Sequence, residues 1–549
     1  MTNSSMPLKQ RMIVDPIEVG LASGWQVIDA ATLQSDRVIE ADVVIVGSGA
    51  GGGVTAEILS LAGLKVVIVE EGALKSSKDF KMREADAYPS LYQESAARKT
   101  RDKAINILQG RTVGGSTTVN WTSSFRTPPA TLDYWGKHFG LVDYTPAALA
   151  PWFDMMEQRL NVSTWAVPPN ENNDLLRRGA VSLGIPVGAI RRNVKGCWNL
   201  GYCGMGCPTN AKQSMLVTTI PAALELGATL ITHARAERFV FNGDRVDHLL
   251  CTGLDASAQA PSGRQLTLRA KHFVVAGGAI NSPALLLRSD APDPHGLLGK
   301  RTFLHPTVIS AGHFEQRVDA YAGAPQTIYS DHFLPQQAID GPIGYKLEAP
   351  PLHPLLLSTT MAGFGDSHAL LMQQFPHIHA LLGLLRDGFH DQSIGGSVEV
   401  ERGGAAVLDY PISPFVWDGV RRALLSMAEI QFAAGAKAVY PIHELAQNGY
   451  TSWRAAQKGI NALPYKDLLT RVVSAHVMGG CTMSDDVRLG VVGSDGRYHG
   501  IANLSVHDGS LFPTSIGANP QLSIYGITAR LASKLAERMT GQSAPRPLA

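Results

Sequence analysis

Early in the chain, Val43–Val46 forms a short β-branched run of the kind found in a strand covered on both faces. It runs directly into Gly47-Ser48-Gly49-Ala50-Gly51-Gly52, and helix-like spacing continues through Leu61. A second apolar run, Val66–Val69, ends at Glu70. Strand, glycine turn, helix, strand and acid in that order predict a parallel βαβ unit that binds a dinucleotide. Gly47 permits the tight turn, Gly49 and Ala50 bring backbone N–H groups to a pyrophosphate, and Gly52 lets helix pack on strand. The helix N-terminus favours the phosphate charge, and Glu70 is placed to accept a ribose hydroxyl. Strand-like runs recur at Leu230–Ala234 and Leu504–Val506. Between about 311 and 470 the pattern changes to stretches rich in Leu, Met, Phe and His. There Pro414–Ala436 reads as a long amphipathic helix with proline at its start.

Composition narrows the class. A chain of 549 residues exceeds one ordinary core, so two or more packed regions are expected. Lys plus Arg number 48 against 47 Asp plus Glu, a balance without the basic excess of a nucleic-acid protein. The 45% hydrophobic content excludes disorder over most of the length. Five cysteines are too few for a disulfide framework. The first residues lack the apolar core of a signal peptide, and no apolar run is long enough to span a bilayer. A cytoplasmic location is expected, with peripheral membrane contact left open.

Further segments identify the cofactor. Gln109–Trp121 (QGRTVGGSTTVNW) resembles the GxxxGGSSxxN loop of the glucose–methanol–choline family of flavin oxidoreductases, matching at Gly110, Gly114, Gly115, Ser116 and Asn120. Thr117 replaces the second Ser and keeps the hydroxyl. Val274–Leu287, the Gly299–Pro306 turn ending in His-Pro, Ala475–Cys481, Val506–Pro513 and Gly517–Pro520 follow the family in order. The resemblance implies a Rossmann-like α/β FAD-binding domain built from discontinuous segments, plus an α+β substrate domain with an antiparallel sheet. The FAD-binding domain is expected over 38–135, 190–310 and 470–549, the substrate domain over 136–189 and 311–469, and an N-terminal arm over 1–37. Carried over by motif, Arg111, Gly114, Gly115, Ser116, Asn120, Ala236, Asp508, Gly509 and Pro520 join the FAD candidates. Some relatives hold FAD covalently through a His in the GGS segment; Val119 stands here, so noncovalent FAD is expected.

The resemblance also implies the chemistry. Family members oxidise alcohols with a His and a second His or Asn facing the flavin, and His476 and Asn519 occupy those places. The base takes the hydroxyl proton while hydride leaves for flavin N5, a role that suits imidazole. Asn519 would hold the same oxygen in place. The Leu- and Met-rich segment from His353 to Asp387 is similar to that of long-chain alcohol oxidases, so a hydrophobic primary alcohol is expected. A sterol, terpenoid or sugar alcohol is the alternative, as is a flavin lyase without net redox. The electron acceptor, whether oxygen, a quinone or a cytochrome, stays open. Cys197, Cys203 and Cys207 have a spacing that invites an iron–sulfur cluster, but no fourth cysteine lies nearby. A glycine-rich loop with small thiols is the expectation and a cluster the alternative.

Overall fold

The structure, a computed structural model, describes residues 15–547. Its first sheet has eight strands. Its parallel part runs Gln26–Asp29, Thr229–Thr232, Val66–Val69, Arg37–Val46, Pro261–Val275. Arg245–Leu254 and Ala234–Asn242 continue from Pro261–Val275 as antiparallel neighbours, and Leu504–Val506 pairs with its far end in parallel. Val43, Val44 and Ile45 have no exposed surface, as a run buried on both faces requires. One face is covered by the helix Ala50–Leu61, which is itself covered by the helices Thr219–Glu225 and Gln521–Thr540. Burying a helix on nearly every side needs small residues where backbones meet. A Cβ on Gly52 would strike the carbonyl of Gly47, and one on Gly51 would strike that of His507.

A second eight-stranded sheet is almost wholly antiparallel. Its order is Ile105–Ile107, Val472–Ser474, Thr307–His313, Ile378–Leu385, Tyr345–Glu348, Ile328–Ser330, Gly188–Ala189, with Ala438–Pro441 also paired to Thr307–His313. The helix Pro414–Ala433 lies across it, and its first turn is closed by Ser413, whose Oγ accepts from Val416 N at 3.3 Å. Each sheet has its own cluster of buried apolar side chains.

Of the stretch expected as an N-terminal arm, residues 1–14 lie outside the described residues. The remainder is part of the body: the helix Pro16–Ala22 packs beside Thr219–Glu225, and Gln26–Asp29 forms an edge of the first sheet. Among the described residues no helix is long and apolar enough to cross a membrane.

Candidate active site

One cavity of roughly 510 Å³ runs from the Gly47 turn to the edge of the second sheet, within the range of cofactor and ligand sites. Its near end is the turn between Arg37–Val46 and Ala50–Leu61. Gly47 has φ +100°, a left-handed value that a side chain would strain. No side chain caps the helix at Gly49, so its first-turn N–H groups have no intrahelical partner. Gly47, Gly49, Ala50 and Gly51 line this end, with Glu70 and Ala236 beside them. Glu70 is buried and accepts from Ser48 N (3.1 Å), Ser48 Oγ (2.6 Å) and Gly72 N (3.0 Å). Burial pushes its carboxyl above the usual range, against the pull of those hydrogen bonds.

Gly115, Ser116, Asn120, Asp508 and Pro520 also line the cavity. Gly115 has φ +53°, and a Cβ there would lie 2.8 Å from Gly49 Cα, so two glycine turns meet as bare backbone. Ser116 Oγ accepts from Gly110 N at 2.9 Å, and Asn120 Nδ2 donates to Gln521 Oε1 at 2.6 Å. Asp508, suggested by sequence as a polar contact to the cofactor, spends its carboxylate inside the protein. It accepts from Gly278 N, Ser282 Oγ, Ser510 N and Ser510 Oγ, tying the helix Gly278–Arg288 to the strand Leu504–Val506. Gly52, Arg111, Gly114 and Gly509 do not line the cavity. Arg111 instead pairs with Glu71 at 3.2 Å and with the Ala258 carbonyl.

At the far end stand His476 and Asn519, 43 residues apart in sequence and both on the cavity wall. His476 N donates to Ser474 Oγ at 3.3 Å, while its Nδ1 meets His305 Nδ1 at 3.1 Å. Desolvation, helped by the charge of Lys346, pulls the His476 imidazole down to about 4, so it is neutral at pH 7. Asn519 Nδ2 donates to Glu348 Oε2 at 3.2 Å, and its Oδ1 has no protein partner. Glu348 is fully buried, also accepts from Gln326 Nε2 at 2.5 Å, and lies 4.0 Å from Lys346 Nζ. Lys346 Nζ stands 3.0 Å from the ring centroid of Phe125 and 4.2 Å from that of Tyr329. Desolvation raises the Glu348 carboxyl and lowers the Lys346 amine to about 8.

His305, Gln326, Lys346, Glu348 and Gln521 were not singled out from the sequence. Only His305 carried a signal, as the His of the His-Pro turn; the others sit outside any motif. None of Cys197, Cys203 and Cys207 lines the cavity, although their loop packs against it through Gly204, whose carbonyl accepts from Tyr92 Oη at 2.6 Å. Cys197 Sγ accepts from Asn199 N (3.4 Å), Cys203 Sγ from Arg192 Nη2 (3.7 Å) and Cys207 Sγ from Lys212 N (3.4 Å). Among the described residues no group of three or more His, Cys, Asp or Glu side chains is gathered as for a metal ion.

Family models described as GMC oxidoreductase match residues 88–307 and 400–528. An uncharacterized GMC-type oxidoreductase of Mycobacterium tuberculosis is 31% identical over 92% of this chain and 77% of its own length. A long-chain-alcohol oxidase of Arabidopsis thaliana is 27% identical over 91% of this chain and 68% of its own. Among solved structures, a pyridoxine 4-oxidase from "Mesorbium loti" superposes with a TM-score of 0.66 at 20% identity, covering 90% of this chain and 98% of that one. That likeness is one of fold, and the sequence relatives supply the kinship: the chain belongs to the GMC oxidoreductase family.

Proposed function

We propose that this protein oxidises a hydrophobic primary alcohol to the aldehyde, with FAD bound noncovalently along the cavity and His476 as base. The observation that carries this reading is a single cavity with a glycine turn at one end and a neutral imidazole beside an amide at the other. The lining fits FAD: the Gly49–Gly115 approach leaves bare backbone on its wall, and the uncapped helix start faces its near end. Val119 on the wall offers no nucleophile for a covalent bond to the flavin. When bound, FAD supplies the acceptor for the hydride.

The chain's own residues supply the rest. Gly47, Gly49 and Ala50 hold the pyrophosphate through backbone, with Gly52 packing the helix behind them. Glu70 and Ala236 flank the adenosine end, and Glu70 still has lone pairs for a ribose hydroxyl. Gly114, Gly115, Ser116 and Asn120 set the loop along the flavin, and Arg111 braces it through Glu71. Asp508 and Pro520 shape the wall further along, with Gly509 behind it. His476 takes the hydroxyl proton at Nε2, and Asn519 holds the alcohol oxygen with the amide groups that Glu348 leaves free. Cys197, Cys203 and Cys207 are loop thiols in this reading, each bound to a different neighbour. The two sheets divide the labour, the first for the cofactor and the second for the substrate. The kinship with alcohol oxidases favours oxygen as final acceptor over a quinone or cytochrome.

The test is anaerobic mixing of the FAD-loaded protein with alkanols, sterols and sugars, followed by admission of air. Bleaching of the flavin by primary alkanols, and its return with peroxide on aeration, is expected. His476→Ala should keep FAD yet reduce it about a hundredfold or more slowly. A flavin that no alcohol bleaches would overturn the reading and favour a lyase.

A further inference from the structure

His476 does not face the cavity alone; a second imidazole stands behind it. His305 and His476 approach Nδ1 to Nδ1 at 3.1 Å, with stacked rings 5.2 Å apart. Two ring nitrogens at that distance share one proton, so one donates and the other accepts. With Nδ1 engaged, Nε2 is the nitrogen of His476 left for the cavity, and it can take a proton only if Nδ1 already carries one.

We propose that His305 is a positioning residue: its Nδ1 accepts from His476 Nδ1–H and so holds the His476 Nε2 lone pair toward the substrate. The inference rests on His476 being the base. In the step itself the alcohol O–H bond breaks and an Nε2–H bond forms on His476, while hydride leaves the carbinol carbon for the bound cofactor. The Nδ1–H stays on His476, now an imidazolium, and His305 gains no proton but keeps accepting. An imidazolium carries hydrogen on both nitrogens, so only an acceptor at His305 is compatible with the state after proton transfer.

The surroundings fix His305 for this part. It is fully buried at φ +48°, a left-handed conformation that strains any residue but glycine, though histidine adopts it more readily than most. Leu304 N and His305 N both donate to the Asp387 carboxylate at 3.1 Å, which holds the turn in that shape. Ser474 Oγ donates to Leu304 O at 2.5 Å and accepts from His476 N, joining the two histidine-bearing segments. Desolvation, then the neighbouring His476, Lys346 and Arg386, keep His305 well below its ordinary value and therefore neutral, able to accept. The arrangement places the proton of His305 on Nε2, which is buried without a protein partner. The opposite pair of tautomers would spare that group, but would turn an N–H toward the substrate in place of a lone pair.

Tautomers are read directly by long-range 1H–15N spectra of histidine-labelled protein, with His476→Ala and His305→Asn assigning the two rings. We expect His476 as Nδ1–H and His305 as Nε2–H in the FAD-loaded protein. His305→Asn keeps an acceptor at the Nδ1 position and suits positive φ; His305→Gly suits the backbone and removes the acceptor. Under anaerobic reduction by 1-octanol, His305→Asn should stay within about fivefold of the unaltered protein. His305→Gly should lose about a hundredfold or more in limiting rate, at unchanged FAD content and little change in half-saturation. An Nε2–H tautomer at His476 would overturn the proposal, as would His305→Gly at full speed beside an inert His476→Ala. A fully active His476→Ala would overturn the base assignment and this inference with it. Should His305→Gly fail to load FAD, the spectrum of the unaltered protein decides alone.

Discussion

An imidazole in water titrates near 6.5 and would be half charged close to neutrality. At position 476, desolvation and the charge of Lys346 both disfavour the cation and bring the value to about 4. The sign of the pH effect follows. As the proposed base, His476 acts when neutral, so kcat/KM should be flat through neutral pH and fall as pH drops through about 4. An acid limb centred near 6.5 in initial-rate measurements would contradict the geometry. Thermal stability must be followed alongside, because His272, His379 and His507 are buried and held near 3. Their folded values lie below the unfolded 6.5, so the stability they contribute is complete above 6.5 and lost as pH falls toward 3. His507, for instance, is spent on Thr55 at 3.0 Å inside the first core, consistent with a structural part.

Elements differ in how far their own sequence announces them. Val43–Val46, its glycine turn and Ala50–Leu61 are legible because residue type, turn chemistry and two-sided burial agree, whereas the partly exposed start of the strand, Arg37–Asp42, carries no such signal. Leu504–Val506 and the helix from Pro414 are legible for the same reason. Tyr345–Glu348 is not. Its alternation of apolar and charged residues has the form of a half-solvated strand. Yet Tyr345 and Leu347 enter the second core, and Lys346 and Glu348 are buried on the opposite face behind Asn519. Periodicity gives the two faces of a strand but says nothing of what covers them, and the cover here comes from residues such as Phe125 and Asn519, far away in sequence. His305 was within a quoted motif, but its partner lies 171 residues on, so its place became visible only in three dimensions. The buried pair makes a prediction at this scale. Glu348→Gln leaves Lys346 uncompensated and should cost about 3–5 kcal/mol in denaturant unfolding. Lys346→Met combined with Glu348→Gln should recover most of that loss. Equal destabilisation in the single and double variants would show that the charges do not act as a pair.

At the scale of the molecule, the cavity draws its lining from strands of the first sheet, from residues adjoining strand ends of the second and from widely separated parts of the chain. A ligand held there binds the folded state alone, so FAD should stabilise the whole protein by mass action. At a hundredfold excess over Kd the gain is about 2.7 kcal/mol. Stripping the flavin should lower Tm by about 2 °C and its return should restore it, as calorimetry can measure; an unchanged Tm would mean that the folded protein does not hold FAD. The strand Leu504–Val506 and the helix Gln521–Thr540 complete the first sheet's layers, although the glycine turn they enclose is near residue 50. During synthesis the glycine turn therefore emerges from the ribosome some 450 residues before the pieces that enclose it. A nascent chain has no finished place for a flavin, so cofactor capture belongs to the last stage of folding, after those late segments have docked. Cells short of riboflavin should then accumulate a fully translated apoprotein and not a stalled fragment.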